Sequence, residues 1–183
     1  MKISLIAIIA AMIFVSCGSN EIEETNTGND KPNSEVVVSD TCPDLNKFCH
    51  EHNGLNWSDK KVPDNHGGYT WQEAKDYCAS IGGRLPTISE LRTLIQNCNG
   101  TVTGGACAVT DSCLSRLYCW NEYGCLKCFG DSVQHSVFDD TGTSWSSSVQ
   151  SDMTDSVWVV DFDYNGIEAI WKHSSLGYVR CVR

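Results

Sequence analysis

Cysteine usage constrains this chain more than any other feature: it has eleven, and ten of them follow residue 40. These are Cys42, Cys49, Cys78, Cys98, Cys107, Cys113, Cys119, Cys125, Cys128 and Cys181. An even number in an exported domain reads as a disulfide framework, so the fold can rest on covalent staples as well as on a core. Six of the ten lie between Cys98 and Cys128, in a stretch rich in Gly, Thr, Ser and Asn. We expect residues from about 97 to 131 to form an inserted loop region held by its bridges, whose pairing the sequence leaves open.

Export is read from the other end. Lys2 precedes a largely apolar run from Ile3 to Val15, closed by Ser16 and Cys17. A basic start, a short apolar core and a small residue before the cut describe a signal peptide over residues 1–16. The run is too short for a spanning helix, which needs about 20 apolar residues. Phe14-Val15-Ser16-Cys17 is similar to the lipobox of bacterial lipoproteins, which implies acylation of Cys17 and attachment to the lipid bilayer. Residues 17–40 are acidic and poor in apolar side chains, as expected of a disordered tether. That leaves 41–183 as one domain. The chain carries a formal net charge of −10 and no basic stripe, which argues against nucleic acid as a partner.

Secondary structure is signalled locally. Thr70-Trp71-Gln72-Glu73 and Thr87-Ile88-Ser89-Glu90 are capping boxes, each with a hydroxyl for the first free amides and a carboxylate reaching back. They predict one helix ended by Gly82-Gly83, and a second whose apolar face is Leu91, Leu94 and Ile95. The last third reads as β: strands at Ser144–Ser148 and Gly177–Val182, and Trp158, Val160, Phe162 and Tyr164 alternating with a more polar face. Asn165-Gly166 predicts a two-residue hairpin turn, setting Ile167, Ala169 and Trp171 opposite Tyr164, Phe162 and Val160.

Five blocks occur in order: Trp71-x-x-Ala74-x-x-Tyr77-Cys78, Gly83-Arg84-Leu85-Pro86-Thr87-Ile88-x-Glu90-Leu91, Trp145-Ser146-Ser147-Ser148, Trp158-Val159-Val160-Asp161-Phe162 and Tyr178-Val179-Arg180-Cys181-Val182-Arg183. Together they resemble the Lcl C-terminal domain family, a bacterial extracellular domain found on collagen-like adhesins and many lipoproteins. The resemblance implies an α+β fold similar to the C-type-lectin-like and formylglycine-generating-enzyme group. Two short helices, a twisted antiparallel sheet and the disulfide-rich insertion would compose it. It further implies a long-range Cys78–Cys181 bridge, with Cys42 and Cys49 stapling an N-terminal hairpin ahead of Leu55–Ser58. Most of the aromatic rings are expected in the core, and Arg84 and Arg180 are expected to tie loops to the sheet.

Candidate chemistry is sparse. Asp161-x-Asp163-x-Asn165-Gly166 matches the start of an EF-hand loop, but Lys172 stands where the bidentate glutamate is required. In the predicted register Asp163 faces Glu168 with Asp161 adjacent, so these three are candidates for a surface cation such as calcium. Cys42, Cys49, His50 and His52 could suggest zinc, although oxidation of the cysteines competes. Cys125-x-x-Cys128 has the spacing of an exchange site but no thioredoxin-like pattern around it. No G-x-S-x-G, H-E-x-x-H or phosphate-binding glycine loop occurs. His135 and His173 are the histidines that could approach the Ser144–Ser148 run. The expected function is therefore a non-catalytic lectin-like binding or adhesion module on the cell envelope, most simply as an outer-membrane lipoprotein. Its ligand would be a glycan or surface protein, met by Tyr118, Trp120 and Tyr123 of the insertion. The competing reading is an enzyme of formylglycine-generating or hydrolytic type on the same fold.

Overall fold

The computed structural model describes residues 48–62, 67–126 and 136–183. The signal segment, the tether, Cys17, Cys42, Cys128 and His135 lie outside them.

The described chain opens with an antiparallel hairpin, β1 (Phe48–His52) and β2 (Leu55–Ser58). Its turn is Asn53-Gly54, and both residues hold positive φ, 52° and 75°. That is the conformation a two-residue turn matching strand twist demands, and Asn-Gly adopts it at least cost. Helix α1 (Trp71–Ser80) then starts at Thr70 and α2 (Ile88–Arg92) at Thr87, each with both halves of its capping box formed. The second helix ends sooner than its apolar pattern suggested. Leu94 and Ile95 are buried from the turn after it instead.

Strands β3 (Thr143–Val149), β4 (Ser156–Asp161) and β5 (Gly166–Trp171) form an antiparallel sheet with β4 in the middle. Every residue of β4 except Asp161 is buried, because both faces of the sheet are covered. Trp158 and Val160, with Phe162 just beyond the strand, pack in one layer with Trp57, Ile88, Leu91 and Ile167. Val157 and Val159 pack in the other with Ala74 and Cys78 of α1, Trp145 and Val179. The fold is α+β, with short helices, two small antiparallel sheets and disulfides.

Two β expectations are corrected. Val160 pairs with Ile167 and Asp161 with Gly166, so a four-residue loop, Phe162 to Asn165, joins the strands. Asn165 is fully buried, with its amide nitrogen donating to the Gln96 carbonyl at 3.1 Å. Tertiary burial of Phe162 and Asn165 overrides the local turn signal, and Tyr164 and Trp171 are left 61% and 54% exposed. The segment Gly177–Val182 is not a continuous strand either. It makes single antiparallel bridges to Tyr69, Lys61, Trp57 and Arg84, and a parallel one to Ser144, joining the N-terminal hairpin to the sheet.

Indole N–H groups do much of the joining. Trp71 donates to Ser146, Trp145 to Tyr69, and Trp158 to Leu114, all to backbone carbonyls at 2.6–3.0 Å. A buried ring thus adds its area to the core while its polar edge satisfies a loop carbonyl. Gly83 permits one close approach: a β-carbon there would stand 2.3 Å from the Phe48 ring.

Candidate functional site

The described part of the insertion is built into the domain core, where Cys98, Cys107, Val109, Cys119 and Cys125 pack in one cluster with Trp57, Leu91 and Trp158. Cys107 pairs with Cys125 and Cys113 with Cys119, and Cys98 is disulfide-bonded as well. Between these staples lie two single-turn helices, α3 (Arg116–Cys119) and α4 (Glu122–Cys125), additional to the two expected from sequence. Cys125 is spent on Cys107, so no disulfide closes within Cys125-x-x-Cys128. Cys49 is also disulfide-bonded, and Cys78–Cys181 is present as the family blocks implied. Disulfides persist in oxidising compartments, which points to an extracellular or periplasmic location. Among the described residues no helix is long and apolar enough to cross a membrane.

Three polar side chains fix the insertion to the body. Arg92, 2% exposed, donates to the carbonyls of Thr101 at 3.0 Å, Val102 at 2.8 Å and Val109. Burial holds its pKa below the ordinary guanidinium value. Asp111 accepts from the Ser89 amide and the Ser148 hydroxyl, both at 3.3 Å, linking the insertion to α2 and β3. Asp152, on the β3–β4 turn, accepts from the amides of Arg116 and Leu117 at 3.0 and 2.9 Å. The Ser115 hydroxyl and the Gln150 amide donate to it at 2.7 and 2.6 Å. These donors, the Leu117 amide first, hold the Asp152 carboxyl far below the usual carboxylate range.

A pH-dependent docking of α3 follows. A depressed folded-state pKa means the Asp152 contribution is complete above about pH 4, where the unfolded carboxylate is ionised, and is lost as pH falls through the folded value. Melting of wild type and Asp152→Asn should therefore differ most near neutrality and converge in acid. A gap independent of pH would show that the carboxylate charge does not dock the helix.

The expected contact residues divide. Tyr118 and Tyr123 are 84% and 83% exposed, and Leu117, next to Tyr118 in the chain, is 76% exposed. Trp120 is half-buried, donates to the Ile167 carbonyl at 2.8 Å and lies 4.5 Å under the Arg116 guanidinium. It also lines a cleft of about 410 Å³ with Arg116, Leu117, Gln150, Asp152 and Met153. Leu117, Met153 and Asp152 went unread in the sequence, because a single-turn helix and a turn carry no periodic signal.

The acidic hairpin is rearranged by the register change. Glu168 stands opposite Val159, not Asp163. Asp163 accepts from the Gly142 amide at 2.9 Å, and Asp161 accepts from the Asp163 amide at 2.9 Å and the Thr143 hydroxyl at 3.4 Å. Asp161 and Glu168 share a cleft of about 210 Å³ with Leu126, Tyr164 and Gly166, from which Asp163 is absent. Among the described residues no three His, Cys, Asp or Glu side chains gather as a metal site. His50 Nε2 lies 2.6 Å from Asp59 and His52 Nε2 3.0 Å from the Thr93 carbonyl, so the two histidines serve different loops. The serine run is likewise structural in its bonding: Ser146 donates to the Trp158 carbonyl, Ser147 to Pro86 and Ser148 to Asp111.

Of the two arginines expected to tie loops to the sheet, Arg180 joins the 136–140 loop to the end of β2, whereas Arg84 ties its loop to helix α2 instead. Arg84 grips Glu90 through two 2.7 Å bonds. Arg180 is buried against Asp140, at 2.6 Å, and donates to the Ser58 carbonyl. Comparison with curated proteins and with solved structures returns no match. A family model does match, that of the Lcl C-terminal domain, over residues 47–183. With most of its length so matched, the chain belongs to the Lcl C-terminal domain family.

Proposed function

We propose that the protein is a non-catalytic binding module of the bacterial cell envelope, lectin-like in fold, carried by acylated Cys17 on an acidic tether. One observation carries the reading. The insertion is held by disulfides, Arg92, Asp111 and Asp152, yet it keeps Leu117, Tyr118 and Tyr123 in solvent. Large apolar side chains on a rigid loop cost solubility and add nothing to the core, whereas at a contact they supply binding energy with little ordering entropy. The ligand is a glycan or a surface protein, and the outer membrane is the proposed location.

The test is a glycan and surface-protein array probed with the full chain and with Leu117→Ser/Tyr118→Ser/Tyr123→Ser. All three positions are exposed, so the variant should melt with wild type. Binding should fall about tenfold or more, as hot-spot residues dictate. Undiminished binding by the variant, or turnover of an array substrate without stable capture, would remove the basis of the proposal.

A further inference from the structure

Arg92 is buried, and among the described residues no carboxylate pairs with it. Among the described residues its acceptors are three backbone carbonyls, one for each guanidinium nitrogen, whereas the two terminal nitrogens carry two N–H groups each. The ion pairs among the described residues engage Arg84, Arg180 and His50 but not Arg92. A buried cation satisfied by carbonyl dipoles alone retains its full charge, and a neutralising anion gains most where water is excluded. The rest of the domain is acidic, which sets this place apart.

A pocket of about 310 Å³ adjoins it, lined by Arg92 with His52, Asn53 and Thr103, and by Ile95 and Val102. Its size lies at the small end of the range for ligand pockets, about 300–1,000 Å³. Among the described residues no acidic side chain lines it. The polar lining comes from two elements that are each held in place. Asn53 sits in the tight turn between β1 and β2, with φ of 52°, and His52 is anchored through Nε2 on the Thr93 carbonyl at 3.0 Å. Thr103 follows two of the three residues whose carbonyls Arg92 grips.

We propose that this pocket binds a carboxylate borne on a small, otherwise uncharged scaffold, with Arg92 as its counter-charge. Arginine presents a planar fork suited to a carboxylate, Asn53 offers a neutral donor at the rim, and Ile95 and Val102 accept the apolar part of the ligand. The pocket has none of Leu117, Tyr118 and Tyr123 in its lining and does not depend on their role. Such a carboxylate has two sources, a peptide C-terminus or an acidic sugar.

Calorimetric titration of the full chain with N-acetylalanine and with N-acetylneuraminate separates these sources. Each would be paired with its uncharged counterpart, N-acetylalaninamide and the neuraminate methyl ester. At least one acid should bind saturably, and its uncharged counterpart about tenfold or more weakly, as loss of a charged hydrogen bond implies. Which acid binds names the source. Arg92→Gln removes the charge but endangers the fold, so the decisive variants are at exposed Thr103. Thr103→Glu should abolish binding by placing a tethered carboxylate at the pocket, while Thr103→Gln should retain it. The proposal fails if neither acid binds, if acid and uncharged counterpart bind alike, or if Thr103→Gln and Thr103→Glu lose binding equally.

Discussion

Replacing Asp140 with alanine is expected to destabilise the domain by about 3–5 kcal/mol, because it strands a buried arginine. Arg180 and Asp140 are 5% and 4% exposed and meet through Nη2 at 2.6 Å and Nε at 3.1–3.2 Å. The same guanidinium donates to the Ser58 carbonyl and lies 4.8 Å from the Phe138 ring, while the Ser136 hydroxyl donates to Asp140 at 3.0 Å. One pair therefore joins the C-terminal segment, the end of β2 and the 136–140 loop. The pair itself is not a large net source of stability, since both charges give up hydration to form it. Removing one partner is what costs, as the other keeps its desolvation penalty without its attraction. The melting temperature should fall by about 6–20 °C. Asp140→Leu combined with Arg180→Met should lose much less than Asp140→Ala alone. A single variant melting with wild type would mean that water reaches the guanidinium and that the pair is not sealed.

The second large effect concerns covalent topology. Cys78 and Cys181 are 103 residues apart and both fully buried, whereas Cys113 and Cys119 are six apart. The entropy a bridge removes from the unfolded chain grows with the logarithm of the loop. The long bridge is thus worth about 4–5 kcal/mol and the short one about 2. The bridges nested inside the long loop shorten it effectively, which moves the first figure down. Cys78→Ala/Cys181→Ala should accordingly lose roughly twice the stability of Cys113→Ala/Cys119→Ala in urea unfolding. Its denaturant slope should also steepen, because the unfolded chain expands once the loop is opened. Equal losses would show that the bridges act through local packing rather than through chain entropy.

These two constraints bear differently on function. The Arg180 pair and the Cys78–Cys181 bridge hold the sheet, the helix α1 and the chain end together. The bridges of the insertion instead hold the exposed face that we propose as the contact surface. Loss of Cys113–Cys119 should therefore spare the fold and weaken binding, a separation that a purely structural insertion would not show.

How much was legible beforehand depended on how far each signal reaches along the chain. The helix starts at Thr70 and Thr87 were readable because a capping box closes within four residues. The insertion was readable from cysteine density, and the family from five ordered blocks. The hairpin was half readable. Asn165-Gly166 sits at the β4–β5 turn, but its own preference for a two-residue turn lost to the burial of Phe162 and Asn165 against distant residues. At Asn53-Gly54, where no such competition exists, the same dipeptide makes the turn that its sequence specifies.

The sequence by itself determined the local breaks and starts, the acidic surface, the oxidised framework and the family. Only the tertiary structure decided the cysteine pairing inside the insertion, the strand register, and which aromatic rings face water. It also brought Arg92 beside Asn53 and Thr103, and Arg180 onto Asp140 across 40 residues. The physical reason is one of range. Caps and turns are settled by hydrogen bonds among near neighbours, whereas register, pairing and charge compensation are settled by burial against residues that only folding brings close.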